Sequence, residues 1–501
     1  MPAHPPKGSR NIMGLTSTAR WKSFARAGNA LGALSMVLAL SGCGGGGGGS
    51  ASGPTVVSPS PSASPSPTPT SSTCSLANRQ AWARDVLEEW YLFPDLLDQS
   101  VRASDYADVQ SYVDALVAPA RAQSKDRGFT YLTSIEEEDA YYESGSTAGI
   151  GALLVIDEMG RLMVREAYEN AAAYAAGMDR GTEILAIGTT SSNLVDVAAM
   201  DYNELVEALG PSESGVSRVF RFRPVSGAGY GPVQTATITK TDFDIQPLSP
   251  RYGSTIVDTG AGKYGYINLR TFIEPAEQPL RDAFAAFGAQ GIDKVIVDVR
   301  YNGGGLIRTS QVLSELLNAS HVGEEYSTLE LRPSKASQND TYYFRRQDGA
   351  INAMKVAFIG TSNSASASEM IMNAQIPYSG ANTALIGENT YGKPVGQYAF
   401  DLEECDDRLR AVTFRTVNAA GNADYYTGMA STMPNACLAY DELTDMLGNP
   451  VEEMTMSAAS FLESGYCQPL VVGTQGTKSL GKRAVMPRNP TIAQIEMPGL
   501  F

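Results

Sequence analysis

Residues 294–320 read KVIVDVRYNGGGLIRTSQVLSELLNAS, and this stretch decides the fold class. KVIVDVR is a short apolar run of the kind that forms a buried strand, and IRTSQVLSELLNAS has the apolar spacing of a helix. Gly303, Gly304 and Gly305 join the two, and three glycines cost more conformational entropy than a plain connection needs. Without side chains, they let backbone N–H groups approach a ligand closely. The stretch therefore predicts a strand, a ligand-facing loop and a helix.

The same alternation of strand and helix continues on both sides of this stretch. Three further apolar runs predict strands, and helical spacing predicts helices between them: the strands are 263–272, 355–360 and 383–387, and the helices are 275–291 and a segment from about residue 366. This order calls for a largely parallel sheet with helices on its faces. Sites in such sheets lie beyond the carboxyl ends of the strands. The loops RYNGGG and TSNSASASE directly follow two of these strands, so we expect them to form the site.

Ser366 lies at the predicted start of a helix, in SNSASASEMIMNAQ. With Glu369 it fits the capping-box pattern, and a purely structural cap explains it without any chemistry. A serine at a helix start also has the positive end of the helix dipole and free N–H groups beside it, conditions that stabilise an oxyanion. The Ala367 N–H and the glycine loop are the candidate donors. Both interpretations of Ser366 remain open on this stretch alone.

Lys393 follows the predicted strand TALIG through a glycine turn, in GENTYGKPVGQ. Burial lowers the pKa of a lysine, and a neutral amine can act as the base for a serine nucleophile. Gln397, four residues later, is placed to orient that amine through a hydrogen bond. Taken alone, Lys393 also fits a solvated surface position.

Composition excludes several other kinds of chemistry. The chain has two histidines, His4 and His321, so no zinc site can be built on two or three histidines of the mature protein. His321 follows a predicted helix end and is interpreted as a surface residue. Residues 1–73 contain five Lys or Arg and no acid, which leaves a net charge of −21 on the remainder. Such a surface repels phosphate backbones and argues against a nucleic-acid partner.

The N-terminal residues predict export and a tether. Residues 20–43 place a basic patch before a short apolar run and then Leu-Ser-Gly-Cys, which resembles a bacterial lipobox. The resemblance implies cleavage before Cys43 and lipid attachment to its thiol. An unmodified cysteine is the alternative. Residues 44–73 are six glycines followed by a stretch that is mostly Ser, Thr and Pro, and this composition predicts a linker. Gly44 favours the outer membrane by analogy.

Four cysteines remain in the exported part: Cys74, Cys405, Cys437 and Cys467. This number suggests two disulfides, for which three connectivities exist. We favour Cys405–Cys437, which would staple one loop region, and Cys74–Cys467, which would join the ends of the globular part. There is no CxxC spacing to indicate a redox or zinc role.

The combination DVRYNGGG…SASASE…GENTYGKPVGQ resembles the C-terminal processing (tail-specific) serine peptidase family. The resemblance implies that Ser366 is the nucleophile, Lys393 the base and Gln397 the residue that orients it. It maps the oxyanion loop onto Gly303 and Gly304, and it implies no cofactor and no metal. Pro394 departs from the glycine usual after the lysine, which removes one N–H and stiffens the turn.

The resemblance also implies the architecture, an α/β multidomain chain. A helical region is expected first, then a PDZ-like β-rich module, a ClpP/crotonase-like α/β peptidase domain and a flexible tail, at 74–146, 147–245, 246–467 and 468–501 respectively. In the module, the family's Gly-Φ-Gly-Φ loop corresponds to Gly149, Ile150, Gly151 and Ala152. Its N–H groups are expected to capture a peptide carboxylate while the peptide adds to the sheet edge.

The expected function is an endopeptidase that cuts exported, unfolded or C-terminally tagged proteins at the cell envelope. Its partners are then polypeptide substrates, a membrane reached through the lipid anchor, and an adaptor protein. The alternative is a catalytically silent lipoprotein that binds peptides through the PDZ-like module and cleft. An esterase of the α/β-hydrolase kind is excluded because no GxSxG elbow precedes a usable histidine.

Overall fold

The computed structural model describes residues 72–227, 229–471 and 482–501. The predicted leader at 1–43, with Cys43, and residues 44–71 of the predicted linker lie outside the described residues. Residues 72–501 form one compact unit. No helix of the described ranges is long and apolar enough to cross a membrane.

The N-terminal region is helical, as predicted, but it is not an independent body. It contains helices α1 (Leu76–Trp90), α2 (Val109–Leu116), α3 (Ala118–Ala122) and α4 (Ile135–Ser144), with strand β1 (Tyr131–Ser134) before the last. The Ser75 and Asp108 side chains cap α1 and α2 by accepting hydrogen bonds from backbone N–H groups. The apolar faces of α1 and α2 pack on Val395, Leu409 and Val412, which belong to the peptidase region.

The first and last strands of the PDZ-like module lie next to each other. Its entry strand β2 (Ser146–Gly149) pairs antiparallel with its exit strand, β11. Between them lie β3 (Ala152–Ile156), β4 (Leu162–Ala167), α5 (Ala172–Ala175), β5 (Glu183–Gly188), β6 (Val195–Asp196), α6 (Tyr202–Leu209), β7 (Ser217–Arg223), β8 (Val225–Ser226), β9 (Gly229–Tyr230), β10 (Gln234–Thr239) and finally β11 (Thr241–Asp244). The main sheet runs in the order β10-β7-β5-β4-β3. Its apolar face and the two helices enclose a separate core.

The peptidase region contains the predicted alternation of strands and helices. Its elements are β12 (Ser254–Asp258), β13 (Lys263–Asn268), α7 (Glu277–Ala289), β14 (Lys294–Asp298), α8 (Ile307–Leu317), β15 (Glu325–Leu331), β16 (Asp340–Tyr343), β17 (Lys355–Gly360), α9 (Ala367–Ser379), β18 (Thr383–Gly387), β19 (Val395–Leu402), β20 (Asp407–Val417), β21 (Ala436–Leu438) and α10 (Glu453–Ser464). The main sheet has the order β12-β13-β14-β17-β18-β21 and is parallel except at β12. The loops after β14 and β17 therefore meet at one edge.

A second sheet extends beyond this edge. Strands β19 and β20 form a long hairpin, and β20 pairs with both β1 and β15 along the edge opposite β19. Because β19 begins two residues after Lys393, the hairpin fixes that lysine beside the main sheet. It also carries the N-terminal helices to the same place.

Two buried ion pairs join the PDZ-like module to the peptidase region. Arg180 donates to Asp441 at 2.8 Å, and Arg270 donates to Glu166 at 2.6 Å, with all four side chains almost fully buried. A buried charge that loses its partner is strongly destabilising. Such pairs therefore favour one orientation of the module against its neighbour, and they add little net stability.

The predicted disulfide pairing is wrong. The bonds are Cys74–Cys405 and Cys437–Cys467. Cys405 follows β19 in the hairpin on which the first helix packs, so it lies beside Cys74 rather than beside Cys437. Cys437 lies in edge strand β21, and the chain after α10 returns to that strand, where Leu438 N–H donates to the Gln468 carbonyl at 2.8 Å.

The prediction of a flexible tail at 468–501 is also wrong for the described residues 482–501. They form strand β22 (Arg483–Ala484), which adds to the edge of β3, and helix α11 (Ile492–Glu496). Met497, Leu500 and Phe501 are almost fully buried. Apolar side chains of this segment enter two of the hydrophobic cores, so burial of apolar area holds it in place.

Candidate active site

Ser366 occupies a strained turn between β17 and α9. Its φ of 52° and ψ of −115° are unusual for a residue with a side chain, and such strain persists only where the surroundings enforce it. The neighbouring serines supply that support: Ser364 Oγ donates to the Val299 carbonyl at 2.7 Å, and Ser368 Oγ donates to the Asn302 carbonyl at 2.9 Å. The three serines of SASAS thus differ, and Ser366 is the one whose side chain lines a cavity.

The carboxylate of Glu369 connects the serine to the lysine loop. It accepts hydrogen bonds from the backbone N–H of Ser366 at 3.2 Å, of Lys393 at 2.7 Å and of Gly392 at 2.6 Å, and from the Thr390 hydroxyl. Burial raises the pKa of Glu369, although these donors stabilise its charged form. The capping-box pattern was recognisable in the sequence, but the link to residue 393 depends on the tertiary fold.

Lys393 is buried, with its side chain in the cavity and its Nζ 5.0 Å from the centre of the Phe129 ring. Burial lowers the pKa of Lys393, and the carboxylates of Glu496 and Asp126 oppose that shift. Arg127 donates to the carbonyls of Tyr391 and Gly392 and so fixes the turn that precedes the lysine. This burial excludes the solvated surface position of the alternative interpretation, and it is the kind of setting in which a lysine can act as a base.

Ser366, Lys393 and Gln397 line one cavity of about 190 Å³. Within the described residues, no hydrogen bond joins Ser366 Oγ to Lys393 Nζ. Gln397 does not bond the amine either, because its Nε2 donates to the Phe129 carbonyl at 2.9 Å. The structure therefore places the three predicted residues around one cavity. It does not join them by hydrogen bonds in this conformation.

The predicted oxyanion donors have different surroundings. Ala367 is the first residue of α9, beside Ser366 in the cavity. The Gly303 N–H donates to the Glu496 carbonyl at 2.7 Å, and the Gly304 N–H donates to Asn302 Oδ1 at 2.9 Å. Gly304 is thus committed within its own loop, and the prediction that it donates to an oxyanion is wrong for this conformation. Position 304 requires glycine because its φ is 132° and because an added Cβ would lie 2.7 Å from Ser366 Cβ.

One segment of the chain matches a known family model. Residues 263–430, which include Ser366, Lys393 and the glycine loop, match the model of peptidase family S41. The match covers about a third of the chain and contains the whole strand-and-helix segment that carries the candidate site. Among the residues that the structure describes, no group of three or more His, Cys, Asp or Glu is arranged to hold a metal ion.

Known S41 proteins resemble the chain over part of its length. It is 27% identical over 235 residues to carboxyl-terminal-processing peptidase 1, chloroplastic, of Arabidopsis thaliana, covering 47% of this chain and 44% of that protein. It is 25% identical over 306 residues to carboxy-terminal processing protease CtpA of Bacillus subtilis, covering 60% of each. The crystal structure of a putative S41 protease from Bacteroides fragilis covers 77% of this chain and 97% of its own, at 20% identity and a TM-score of 0.60. That structure has the same fold, which confirms the predicted fold class.

Several residues of the candidate site were not predicted from the sequence. Tyr142 from α4, Arg410 from β20 and Glu496 from the C-terminal residues all line the cavity with Ser366. They come from parts of the chain far apart in sequence, and no local motif marks them. His321, in contrast, lies outside the cavity and bonds Glu324 at 3.1 Å, in keeping with its interpretation as a surface residue.

The glycine loop of the PDZ-like module lies against the C-terminal residues. The N–H groups of Gly151 and Ala152 donate to the main-chain oxygen of Phe501 at 2.8 and 3.3 Å. Gly149 has no room for a side chain, since an added Cβ would lie 2.7 Å from the Phe501 carbonyl carbon, and Ile150 is fully buried beneath the loop. The predicted peptide-binding residues therefore do contact a peptide segment, and that segment belongs to the same chain.

Proposed function

We propose that the chain is a peptidase of family S41, a serine endopeptidase of the Ser–Lys type that hydrolyses peptide bonds in exported, unfolded or C-terminally tagged proteins. The observation that carries the proposal is the shared cavity of Ser366 and Lys393, whose backbone N–H groups are held by one buried carboxylate, Glu369. A strained serine beside a buried lysine fits nucleophilic catalysis better than a structural cap.

The residues support the following reaction. Ser366 Oγ attacks the carbonyl carbon of the peptide bond while its proton passes to the neutral amine of Lys393. The new C–O bond places negative charge on the carbonyl oxygen, which the Ala367 N–H stabilises from the first turn of α9. The tetrahedral intermediate expels the amine, which takes the proton from Lys393, and water releases the acyl group in the same way. Catalytic hydrogen bonds commonly shorten only with substrate bound, so the open Ser366–Lys393 distance is compatible with this sequence.

Digestion of an unfolded protein by residues 72–501 tests this proposal. We expect Ser366→Ala and Lys393→Met each to lower kcat/KM at least about 1000-fold, as loss of one member of a nucleophile–base pair does. Ser379→Ala is the matched control, because its hydroxyl lies at the other end of α9, where it accepts from Gln375, and the variant should stay within about tenfold of the parent. Equal cleavage by all proteins would refute the assignment. Absent cleavage together with retained peptide binding would favour the silent binder.

We also propose that the chain is exported and lipid-anchored at Cys43 in the cell envelope. The order of basic, apolar and small residues over 20–43 supports this, and the two disulfides of the described part fit an oxidising compartment. Labelled palmitate should enter the parent protein expressed in a Gram-negative host and not Cys43→Ala. Equal labelling of both proteins would contradict the anchor.

A further inference from the structure

The C-terminal segment, residues 482–501, runs between the two predicted peptide-binding sites. Its strand β22 pairs with Val155 and Ile156 at the outer edge of β3. The chain then reaches the catalytic cavity through α11, whose start is capped by Thr491 and Gln494. It returns to β3 over its last three residues. One short segment therefore contacts both sites.

At the PDZ-like module, residues 499–501 pair antiparallel with β3 through one isolated bridge, between Leu153 and Leu500. The Leu154 N–H donates to the Gly499 carbonyl at 2.7 Å, and the Phe501 N–H donates to the Ala152 carbonyl at 3.1 Å. The Phe501 ring is buried in the core of the module. Main-chain pairing to an edge strand with a side chain in a pocket is the way such modules bind peptides. The groove is therefore filled.

At the catalytic cavity, Glu496 lies among groups that the proposed reaction needs. Its carbonyl takes the Gly303 N–H, a predicted oxyanion donor. Its carboxylate is buried near Lys393 and accepts from the Tyr142 hydroxyl at 3.1 Å, while Oε2 has no hydrogen-bond partner. Oε2 lies 3.1 Å from the point where a Gly304 side chain would begin, and Ser366 Oγ lies 3.2 Å from that same point. A buried carboxylate oxygen that accepts no hydrogen bond destabilises the docked segment. This destabilisation opposes the favourable free energy of burying the segment's apolar side chains.

Glu496 and Lys393 line two cavities. One is the 190 Å³ cavity with Ser366, and the other has a volume of about 340 Å³. Met486 and Ile495, also from the C-terminal segment, line the second cavity. If the segment left, both cavities would lose the wall that Glu496 supplies, and the space beside Lys393 would widen.

We propose that the C-terminal segment is a tethered peptide ligand that occupies the PDZ-like groove and the catalytic cleft together, so that substrates must displace it. The inference rests on the proposed function for its catalytic part only. The bound segment also indicates the class of peptide that replaces it: one with a large apolar residue in the PDZ-like groove and an acidic side chain about five residues earlier, facing Lys393 and Arg410. While it is bound, the Gly303 N–H is unavailable to an oxyanion.

One substitution weakens the docked segment without shortening the chain. Gly499 has a φ of 103°, and a side chain there would begin 2.6 Å from the Leu154 carbonyl oxygen, so Gly499→Val cannot pair with β3 as the parent does. Gly323→Val is the matched control, because Gly323 has a φ of 90° and nothing within 4 Å of an added Cβ. Phe501→Ala is a second route, since it empties the apolar pocket without a clash.

Peptide binding tests the occupancy independently of catalysis. A fluorescent peptide of sequence TIAQIEMPGLF is titrated into Ser366→Ala protein of residues 72–501, alone and with each further substitution. A tethered competitor at about millimolar effective concentration strongly lowers the apparent affinity for a free peptide. The Gly499→Val and Phe501→Ala proteins should therefore bind the fluorescent peptide at least about tenfold tighter than the parent and the control. Equal affinities in the folded proteins would overturn the proposal.

Cleavage tests the consequence in the same variants with Ser366 intact. Gly499→Val should raise kcat/KM for a reporter peptide at least about tenfold, and Gly323→Val should not. Equal cleavage by all variants overturns the requirement for displacement, whatever the binding result. If no variant cleaves, the proposed function fails and the binding result alone decides whether the segment is a tethered ligand.

Discussion

Replacement of Glu369 by glutamine should impair catalysis more than any other change outside the serine and lysine themselves. In the parent, one carboxylate oxygen accepts from the Thr390 hydroxyl and the Gly392 N–H, and the other accepts from the N–H groups of Ser366 and Lys393. A glutamine must direct its NH₂ group at one of these two pairs of donors. The Thr390 hydroxyl can rotate to accept instead, so the NH₂ group turns to that side.

The cost follows from the donors left over. In that orientation the Gly392 N–H is buried without an acceptor, at about 1–3 kcal/mol, and the remaining bonds lose the strength that a charged acceptor gives, for a total of about 3 kcal/mol of stability. Because Ser366 and Lys393 are positioned by this group, a shift of about 1 Å between them should lower kcat about 100-fold. The Glu369 charge is one of the carboxylates that raise the pKa of Lys393, so its removal should also lower that pKa.

The assay is the pH dependence of kcat and kcat/KM, measured with thermal melting of the same samples. Glu369→Gln should lower kcat, and its acidic limb should move to lower pH because a base with a lower pKa loses its proton earlier. Glu315→Gln is the matched control, because it removes another buried carboxylate that does not line the cavity. The Glu315 carboxylate accepts a hydrogen bond of 2.9 Å from the Arg345 N–H. A fall in melting temperature for both variants, with kcat unchanged in Glu369→Gln, would refute the positioning role.

Three further predictions follow from buried groups. Phe129→Ala should admit water to Lys393 and raise its lowered pKa toward 10.5, so the acidic limb of kcat/KM moves to higher pH; an unmoved limb would contradict the role of burial. Loss of the Cys74–Cys405 bond through a double serine variant should cost about 2–5 kcal/mol and lower the melting temperature, while equal melting of parent and variant would show that the bond is dispensable. Arg300→Met should leave the buried carboxylates of Asp298 and Glu452 without their cation, while Asp441 keeps Arg180, and should cost about 3–5 kcal/mol, detectable as a lower denaturation midpoint; an unchanged midpoint would contradict this.

The sequence was sufficient to predict the elements that carry the proposed chemistry. The apolar run at 294–299, the glycines after it and the helix from Ser366 each depend on local periodicity and turn composition, and local signals of this kind survive folding. Parallel pairing then brings the loops after β14 and β17 together, so the sequence alone predicts that Ser366 and the glycine loop lie at the same edge of the sheet.

Features that depend on long-range packing could not be predicted. The Cys74–Cys405 bond follows from the docking of α1 on the β19–β20 hairpin, and no sequence spacing encodes that contact. Glu369 gave a capping signal that was correct locally, but its bonds to Gly392 and Lys393 need the sheet that brings residues 23 and 24 positions later beside it.

The C-terminal segment had a signal that composition obscured. Its glycines and prolines suggest a flexible tail, whereas Thr491 with Gln494 is a capping pattern and apolar residues recur up to Phe501. Weighing those two local features above composition would have predicted a short docked helix. Its place in the catalytic cleft would still have required the structure.

The most direct measurement of the central claim is the rate at which a serine-directed phosphonofluoridate modifies residue 366 as a function of pH. Peptide mapping would locate the adduct in the Gly499→Val protein, where the cleft is open. Modification confined to Ser366, with a rate that rises through a lysine pKa below 10.5 and falls at least about 1000-fold in Lys393→Met, is the predicted result. Modification at other serines, or an unchanged rate in Lys393→Met, would contradict the claim that this buried amine activates this hydroxyl.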